Sequence, residues 1–189
     1  MDKVSKSILI GSILGDGWLD KPTKNGSHWA IKYDDKSLSY LEWLQQKLSR
    51  YFPDGVRKKK NYHQHFIYSE VCPEIAEFRK IFYPQGKKIV PEEVKTLLTE
   101  PLSLAIWYMD DGSLDRRDKY HLNSTIATFC FSYMDCELLA STLKDNFGVE
   151  VRVHKSTMRG RERYRLYIVS ESMERFMRII RPYIQPCFM

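Results

Sequence analysis

Residues 9–20 read LIGSILGDGWLD, and this segment decides the fold because its pattern returns later in the chain. Residues 104–115 read LAIWYMDDGSLD, 95 positions further on. Each copy is an apolar run followed by Asp-Gly-x-Leu-Asp. An internal repeat with this spacing predicts two similar structural units in one chain.

The stretches after the two copies show helical and strand periodicities in the same order. In the first half, the pattern predicts strands at 27–33, 56–60 and 62–69 and helices at 37–51 and 73–83. In the second half, it predicts strands at 123–131, 149–155 and 163–169 and helices at 134–147 and 171–180. Each half therefore reads αββαββα, an α+β class. We place the halves at 1–86 and 100–189, with a proline-containing linker at 87–99.

The composition favours an intracellular protein with a polyanionic partner. The 189 residues contain 30 Lys and Arg against 24 Asp and Glu, a formal net charge of +6, and a basic chain favours nucleic acid. No apolar run approaches the roughly 20 residues that a membrane span needs, and the N-terminus lacks the features of a signal or transit peptide. The four cysteines show no CxxC spacing, which excludes a zinc ribbon and predicts reduced thiols.

The two Asp-Gly pairs are the candidate chemical centre. Taken singly, Asp16-Gly17 or Asp111-Gly112 is ordinary turn chemistry, and we expect each glycine to end its helix in the left-handed conformation. A carboxylate at a helix C-terminus opposes the helix dipole at a cost of about 0.3–1 kcal/mol. Its recurrence in both repeats indicates a compensating divalent cation, and paired carboxylates with such cations are typical of phosphodiester cleavage. Gly11 and Gly15 would let the two helices approach closely.

Residues 9–17 and 104–112 resemble the two signature helices of the LAGLIDADG homing endonucleases, in the monomeric branch that carries both motifs in one chain. The resemblance implies pseudo-twofold halves that meet at these helices, with two sheets forming a saddle over double-stranded DNA. It also implies double-strand cleavage dependent on Mg²⁺ (or Mn²⁺) that leaves 3′ overhangs. In this family's pattern, Asp16 and Asp111 are metal ligands, Gly15 and Asp110 lend carbonyl oxygens, and Lys88 polarises the attacking water.

The resemblance also implies a second basic residue after the Pro-Tyr-Ile-x-Pro stretch at 182–186, and that position would follow Met189. Two other functions remain open. One is a group I intron maturase, which binds its intron RNA as a splicing cofactor, and the other is a catalytically silent DNA-binding protein. The presence of both aspartates favours the nuclease. The expected compartment is a prokaryotic cytoplasm, or the matrix of an organelle that encodes its own introns.

Strand alternation predicts which side chains face the DNA. Apolar residues at every second position should point to the core, which leaves the intervening polar residues on the outer face of each sheet. Arg binds guanine and phosphate alike, so the pattern does not separate base contacts from backbone contacts. The predicted DNA-binding residues are His28, Lys32, Arg57, Lys59, His63, His65, Arg152, His154, Arg161, Arg163 and Arg165.

Overall fold

The structure is a computed structural model that describes residues 1–117, 121–158 and 160–188. The N-terminal half begins with an almost fully buried helix and continues as two strand pairs, each followed by a helix. Its elements are α1 (Lys3–Leu14), β1 (Trp18–Leu19), β2 (Trp29–Asp34), α2 (Leu38–Lys47), β3 (Arg57–Lys58), β4 (Gln64–Tyr68) and α3 (Pro73–Phe82).

The C-terminal half repeats this order with longer strands. A short helix, α4 (Val94–Leu97), lies inside the predicted linker and precedes the C-terminal half. The remaining elements are α5 (Pro101–Asp111), β5 (Gly112–Arg117), β6 (His121–Ala127), α6 (Tyr133–Phe147), β7 (Val151–Met158), β8 (Arg161–Ile168) and α7 (Ser170–Ile180). Short 3₁₀ turns follow at Arg181–Tyr183 and Pro186–Phe188.

The two sheets have matching topologies. In the described residues, each is antiparallel and four-stranded, with the orders β1-β2-β4-β3 and β5-β6-β8-β7. The helices bury one face of each sheet, and the large side chains Trp29, Trp107, Phe52 and Phe176 lie in the common core. The predicted α+β class and the two αββαββα halves are confirmed. The exact division at 87–99 stays a prediction.

Helices α1 and α5 pack against each other at the centre of the molecule. A Cβ atom added at Gly11 would lie 2.6 Å from Ile106 Cβ, and one added at Gly15 would lie 2.5 Å from Asp110 Cβ. Both contacts join residues that are 95 positions apart, the spacing of the sequence repeat. Equivalent positions therefore face each other across the helix pair, as a pseudo-twofold axis requires.

Local capping fixes the ends of several helices. Asp2 caps α1 through a side-chain bond from the Ser5 N–H at 2.9 Å. Ser132 and Asp135 form a reciprocal capping box at the start of α6, and Gly148 ends that helix in the left-handed conformation. These are the residue types that satisfy the free backbone groups at helix ends.

The expectation of left-handed glycines at the two Asp-Gly pairs is wrong. Gly112 is extended, with φ −79° and ψ 151°. Gly17 is described, but it is not one of the glycines with positive φ. The reason is that α5 passes directly into β5, while α1 ends earlier, with Gly15 as its cap. Glycine is needed at both places for space, since a Cβ at Gly17 would lie 2.8 Å from the Ser12 carbonyl oxygen and one at Gly112 would meet Tyr108.

Candidate active site and nucleic-acid interface

The adjoining ends of α1 and α5 place the predicted catalytic carboxylates together. Asp16 lies just beyond the cap of α1 and is exposed, and Asp111 is the last residue of α5 and is half-buried. The Asp16 backbone N–H donates to Asp110 Oδ2 at 3.1 Å, which ties the two helix ends directly. The buried helix pair thus brings Asp110 and Asp111 of the second repeat next to Asp16 of the first repeat.

Both carboxylates have unfavourable surroundings for negative charge. Burial raises the pKa of Asp16 above its ordinary value, against the opposing effect of Lys88 and Lys32. Burial, and then the nearby Asp16 charge, raise the pKa of Asp111 to about 7. Desolvated like charges of this kind are relieved by a bound cation.

Lys88, the residue predicted to polarise the attacking water, lies beside the end of α1. Its ammonium group donates to the carbonyl oxygens of Gly15 at 3.0 Å and Gly17 at 2.9 Å. Burial lowers the pKa of Lys88, while Cys130 and the aspartates, led by Asp111, act in the opposite direction. The lysine is therefore a half-buried cation held between backbone carbonyls and next to the carboxylate pair.

The donors present fit a hard divalent cation that completes its shell with other oxygens. Within the described ranges, no group of three or more His, Cys, Asp and Glu side chains could hold a metal ion. Two carboxylates are nevertheless the usual protein contribution to an Mg²⁺ site that keeps waters and takes substrate phosphate oxygens. The predicted carbonyl ligand at Gly15 is already an acceptor for Lys88, so a cation there would share that oxygen's second lone pair.

The Asp110 side chain forms a contact that sequence reasoning missed. Its Oδ1 accepts hydrogen bonds from the Tyr33 hydroxyl and, at 3.3 Å, from the Tyr40 hydroxyl, and its Oδ2 accepts from the Asp16 N–H. Burial raises the pKa of Asp110 well above its ordinary value. The available signal was the alternation of the strand predicted at 27–33, which puts Tyr33 on the core face, where a hydroxyl needs a partner. No prediction covered Tyr40.

A cavity of about 300 Å³ opens beside Asp16 and Asp110. Lys32 and Gln64 contribute polar walls, and Met109 and Phe188 contribute apolar ones. Phe188 also packs edge-on against Tyr40, with ring centroids 5.1 Å apart. Asp16 is thus open to a ligand on the side of the N-terminal sheet.

The outer face of the N-terminal sheet carries five of the six basic residues predicted for the N-terminal half. Lys32, Arg57 and Lys59 are exposed. His63 is also exposed, and its Nδ1 lies 2.7 Å from Asp35 Oδ2. His28 is half-buried, with its Nδ1 2.7 Å from the Ser69 carbonyl oxygen and its ring 4.6 Å from that of Tyr68.

The prediction that His65 faces outward is wrong. His65 is 9% exposed and pairs with Tyr33, while Ile67 pairs with Ile31, so both lie on the core face. Phe66 and Tyr68 occupy the outer face instead, half-buried among neighbouring side chains. The two consecutive apolar residues at 66 and 67 made the parity of this strand ambiguous, and the aliphatic side chain took the core position.

The C-terminal sheet follows the predicted alternation. Leu166 and Ile168 are buried, whereas Arg152, His154, Arg161 and Arg165 are exposed and Arg163 is half-buried. The register sets His154 opposite Arg165 and Arg152 opposite Tyr167, which places these side chains on one face. The His154 ring stacks on Tyr167 with centroids 4.9 Å apart. Contact of these residues with DNA stays a prediction.

A sequence model described as the LAGLIDADG DNA endonuclease family matches residues 6–176. Among curated relatives, a protein RecA from Mycolicibacterium chitae is 30% identical over 190 residues, which are 95% of this chain and 44% of that protein. The chain therefore spans less than half the length of this relative. A probable intron-encoded endonuclease 1 from Wickerhamomyces canadensis is 28% identical over 98% of the chain and 82% of its own length. A cytochrome b mRNA maturase bI2 from Debaryomyces hansenii is 26% identical over 98% and 72%.

Solved structures share the fold. The homing endonuclease I-WcaI bound to its DNA recognition sequence aligns with a TM-score of 0.83 and 22% identity over 98% of this chain and 84% of that one. I-DmoI in complex with DNA and Mn aligns with a TM-score of 0.55 and 17% identity over 94% of this chain and 96% of that one. In the described part of this chain, no helix is long and apolar enough to cross a membrane.

Proposed function

The chain belongs to the LAGLIDADG DNA endonuclease family, and on that basis we propose that it is a site-specific homing endonuclease. It would make a double-strand break with 3′ overhangs in a long DNA target, using Mg²⁺ or Mn²⁺. The observation that carries this proposal is the junction of α1 and α5, where Asp16, Asp111 and Lys88 meet. A protein that only bound nucleic acid would have no need for two carboxylates beside a half-buried lysine.

Each residue at the junction has a distinct task in the proposed reaction. Asp16 and Asp111 would hold the divalent cation, with the carbonyl groups of Gly15 and Asp110 beside them. A bound cation would supply charge stabilisation at the phosphate and a more acidic water. Lys88, whose pKa is lowered by burial, would orient the attacking water and help to neutralise the developing negative charge.

The protein would bind its DNA target as a monomer, with each half in contact with one part of the target. The outer faces carry Lys32, Arg57 and Lys59 in one sheet and Arg161 and Arg165 in the other, all exposed. His28, His63, Arg152, His154 and Arg163 share these faces and join the proposed contact set. His65 does not, because it lies on the core face. Phosphate contacts from such residues would supply affinity that depends on salt.

The relatives support a mobile genetic element as the source. One is named an intron-encoded endonuclease, and the match to proteins named RecA covers less than half of their length, as expected for an endonuclease segment carried inside a longer chain. We propose that the protein acts within a prokaryotic cytoplasm or an organelle and cuts the gene copy that lacks its own intervening sequence.

A second candidate function is an RNA maturase. The observation that favours it is the similarity to cytochrome b mRNA maturases bI2 from two yeasts, at 26% and 28% identity. The intron RNA would then be a partner in place of, or in addition to, DNA. A silent DNA-binding role is a third and weaker candidate, because the carboxylate pair and Lys88 are all in place.

The test is a cleavage screen with the unmodified protein. A library of intervening-sequence-free gene junctions is incubated with Mg²⁺, with Mn²⁺ and with a chelator, and the cut ends are sequenced. We expect one junction to be cut on both strands, with 3′ overhangs, only when metal is present. No cleavage of any junction, together with tight binding and faster splicing of a group I intron RNA, would instead establish the maturase.

A further inference from the structure

The Asp110 carboxylate links three elements of the opposite half. Tyr33 donates to it from β2, Tyr40 donates from α2 at 3.3 Å, and the Asp16 N–H donates at 3.1 Å from the end of α1. Asp110 itself belongs to α5 of the C-terminal half. We name the set Tyr33, Tyr40, Asp110 and the Asp16 N–H the cross-half clasp.

The shape and the hydrogen-bond donors of the clasp both match the Asp110 carboxylate. Gly15 leaves the space that the Asp110 side chain fills, because a Cβ at Gly15 would lie 2.5 Å from both Asp110 Cβ and Oδ2. A tyrosine hydroxyl is protonated at neutral pH, so Tyr33 and Tyr40 both act as donors to Asp110 Oδ1. Each oxygen of Asp110 therefore has a fixed donor.

The clasp acts on only one of the two proposed metal ligands. Its last bond ends on the backbone of Asp16, whose side chain is one of the two proposed ligands. At the equivalent position of α1 stands Gly15, which has no side chain to hold the Asp111 backbone in return. Asp111 needs less support, because it is part of the last turn of α5, whereas Asp16 lies beyond the cap of α1.

We propose that Asp110 is a positioning residue of the nuclease centre, whose carboxylate is anchored on Tyr33 and holds the Asp16 backbone so that the two metal-binding carboxylates keep their separation. This inference rests on the proposed function for its catalytic consequence. Its structural part concerns the chain alone. Partners of this kind, one step removed from a metal, typically change metal affinity or activity by about 10–100-fold when lost.

The central variant is Tyr33→Phe, which removes one hydroxyl without touching a carboxylate. Asp110→Ala removes the clasp entirely, and Asp110→Asn is the conservative variant, because its amide oxygen can accept from the Asp16 N–H while its NH₂ group donates to the Tyr33 oxygen. Tyr51→Phe is the matched control, since Tyr51 donates to Glu74 at 3.3 Å in the same half and away from the centre.

Three measurements are made on each full-length variant. Amide hydrogen exchange of Asp16 is followed by NMR, Mn²⁺ affinity of the protein is measured by electron paramagnetic resonance, and cleavage is measured under single-turnover conditions with DNA affinity determined in Ca²⁺. We expect Tyr33→Phe and Asp110→Ala to exchange the Asp16 amide faster and to bind Mn²⁺ roughly 10–100-fold more weakly. Cleavage should slow without loss of DNA affinity. Asp110→Asn should lose less than Asp110→Ala, and Tyr51→Phe should stay near the unmodified protein.

The outcomes separate this inference from the proposed function. Unchanged Asp16 exchange and Mn²⁺ affinity in folded Tyr33→Phe would overturn the positioning role, whatever the cleavage data show. If the unmodified protein cuts no DNA, the exchange and Mn²⁺ measurements still decide the clasp. If Asp110→Ala does not fold, Tyr33→Phe and Asp110→Asn carry the test. An equal loss in Tyr51→Phe would show a general stability effect and would also overturn it.

Discussion

The two halves repeat one order of elements but contribute unequally to the molecule. Strands β1 and β3 of the N-terminal sheet have two residues each, whereas β7 and β8 of the C-terminal sheet have eight. At the central helix pair, the first half supplies Gly11 and Gly15, and the second supplies Ile106 and Asp110. The backbone is therefore nearly symmetric, but the centre is not. Lys88 lies against the end of α1, whereas the clasp is made by Asp110 at the end of α5.

The largest effect is expected from replacing the aspartates at the two helix ends, which tests whether both are equally required for cleavage despite this asymmetry. Asp16→Asn and Asp111→Asn should each abolish metal-dependent double-strand cleavage, because Asn keeps the side-chain volume but loses the charge that binds a hard cation. Asp110→Asn should retain most activity. The measurement is cleavage of the junction identified in the library, with gel-shift binding in parallel, where all three variants should still bind.

The control for these variants is Asp145→Asn, an exposed aspartate paired with Lys95 at 3.0 Å and remote from the centre. It should cleave normally. Full activity in Asp111→Asn would show that the second helix end is a turn only, and it would move the function towards the maturase.

The next effect concerns the outer face of the C-terminal sheet. Replacing Arg161, Arg163 and Arg165 together by Ala should weaken DNA binding and make its salt dependence shallower, by about 0.9 in log–log slope for each lost phosphate contact. The measurement is a series of affinities at increasing salt concentration.

The matched control for net charge replaces Arg175, Arg178 and Arg181 by Ala, since these three exposed residues lie on or directly after α7. This control should leave the slope unchanged. Equal slopes for the two triple variants would mean that β8 turns its arginines to solvent and that the N-terminal sheet carries the binding.

A smaller effect probes the size complementarity of the central helices. Gly11→Ala places a Cβ atom 2.6 Å from Ile106 Cβ, and overpacking of this kind costs about 1–3 kcal/mol of unfolding free energy. Helix propensity alone predicts the opposite, a gain of about 1 kcal/mol for Gly to Ala. Urea unfolding distinguishes the two signs.

Ser12→Ala is the control for this variant, because Ser12 is buried in the same helix and its hydroxyl bonds to the Leu9 carbonyl oxygen at 3.1 Å. The loss of such a bond should cost about 1 kcal/mol or less. A stability gain in Gly11→Ala would show that α1 and α5 can separate without cost, against the packing described above.

The smallest expected effect is on the metal-free protein. Removing one charge from the desolvated pair relieves repulsion and the opposition of the helix dipole, an effect of about 0.3–1 kcal/mol. Asp16→Asn and Asp111→Asn should therefore unfold at equal or slightly higher temperature in the presence of a chelator. The measurement is thermal unfolding followed by circular dichroism, and a marked loss of stability would indicate a structural role for the aspartate concerned.

The sequence predicted the frame of the molecule well, because a repeat constrains two regions at once. The order of helices and strands and the close approach at Gly11 and Gly15 both follow from local pattern and spacing. The parity of β4 did not, since Phe66 and Ile67 are both apolar and either could fill the core. The clasp could not be predicted either, because it depends on which side chain of the opposite half contacts Tyr33 and Tyr40.

The pairing of small with large residues also determines what each half recognises as its mate. Two N-terminal halves brought together would set Gly11 and Gly15 against themselves and leave a void. Two C-terminal halves would set Ile106 against Ile106 and bury two Asp110 carboxyl groups without their donors Tyr33, Tyr40 and the Asp16 N–H, and buried polar groups without partners are unfavourable. Each half thus discriminates against self-association and in favour of the other. Produced as separate polypeptides, the halves should form heterodimers, which makes this scaffold suited to two-component assembly.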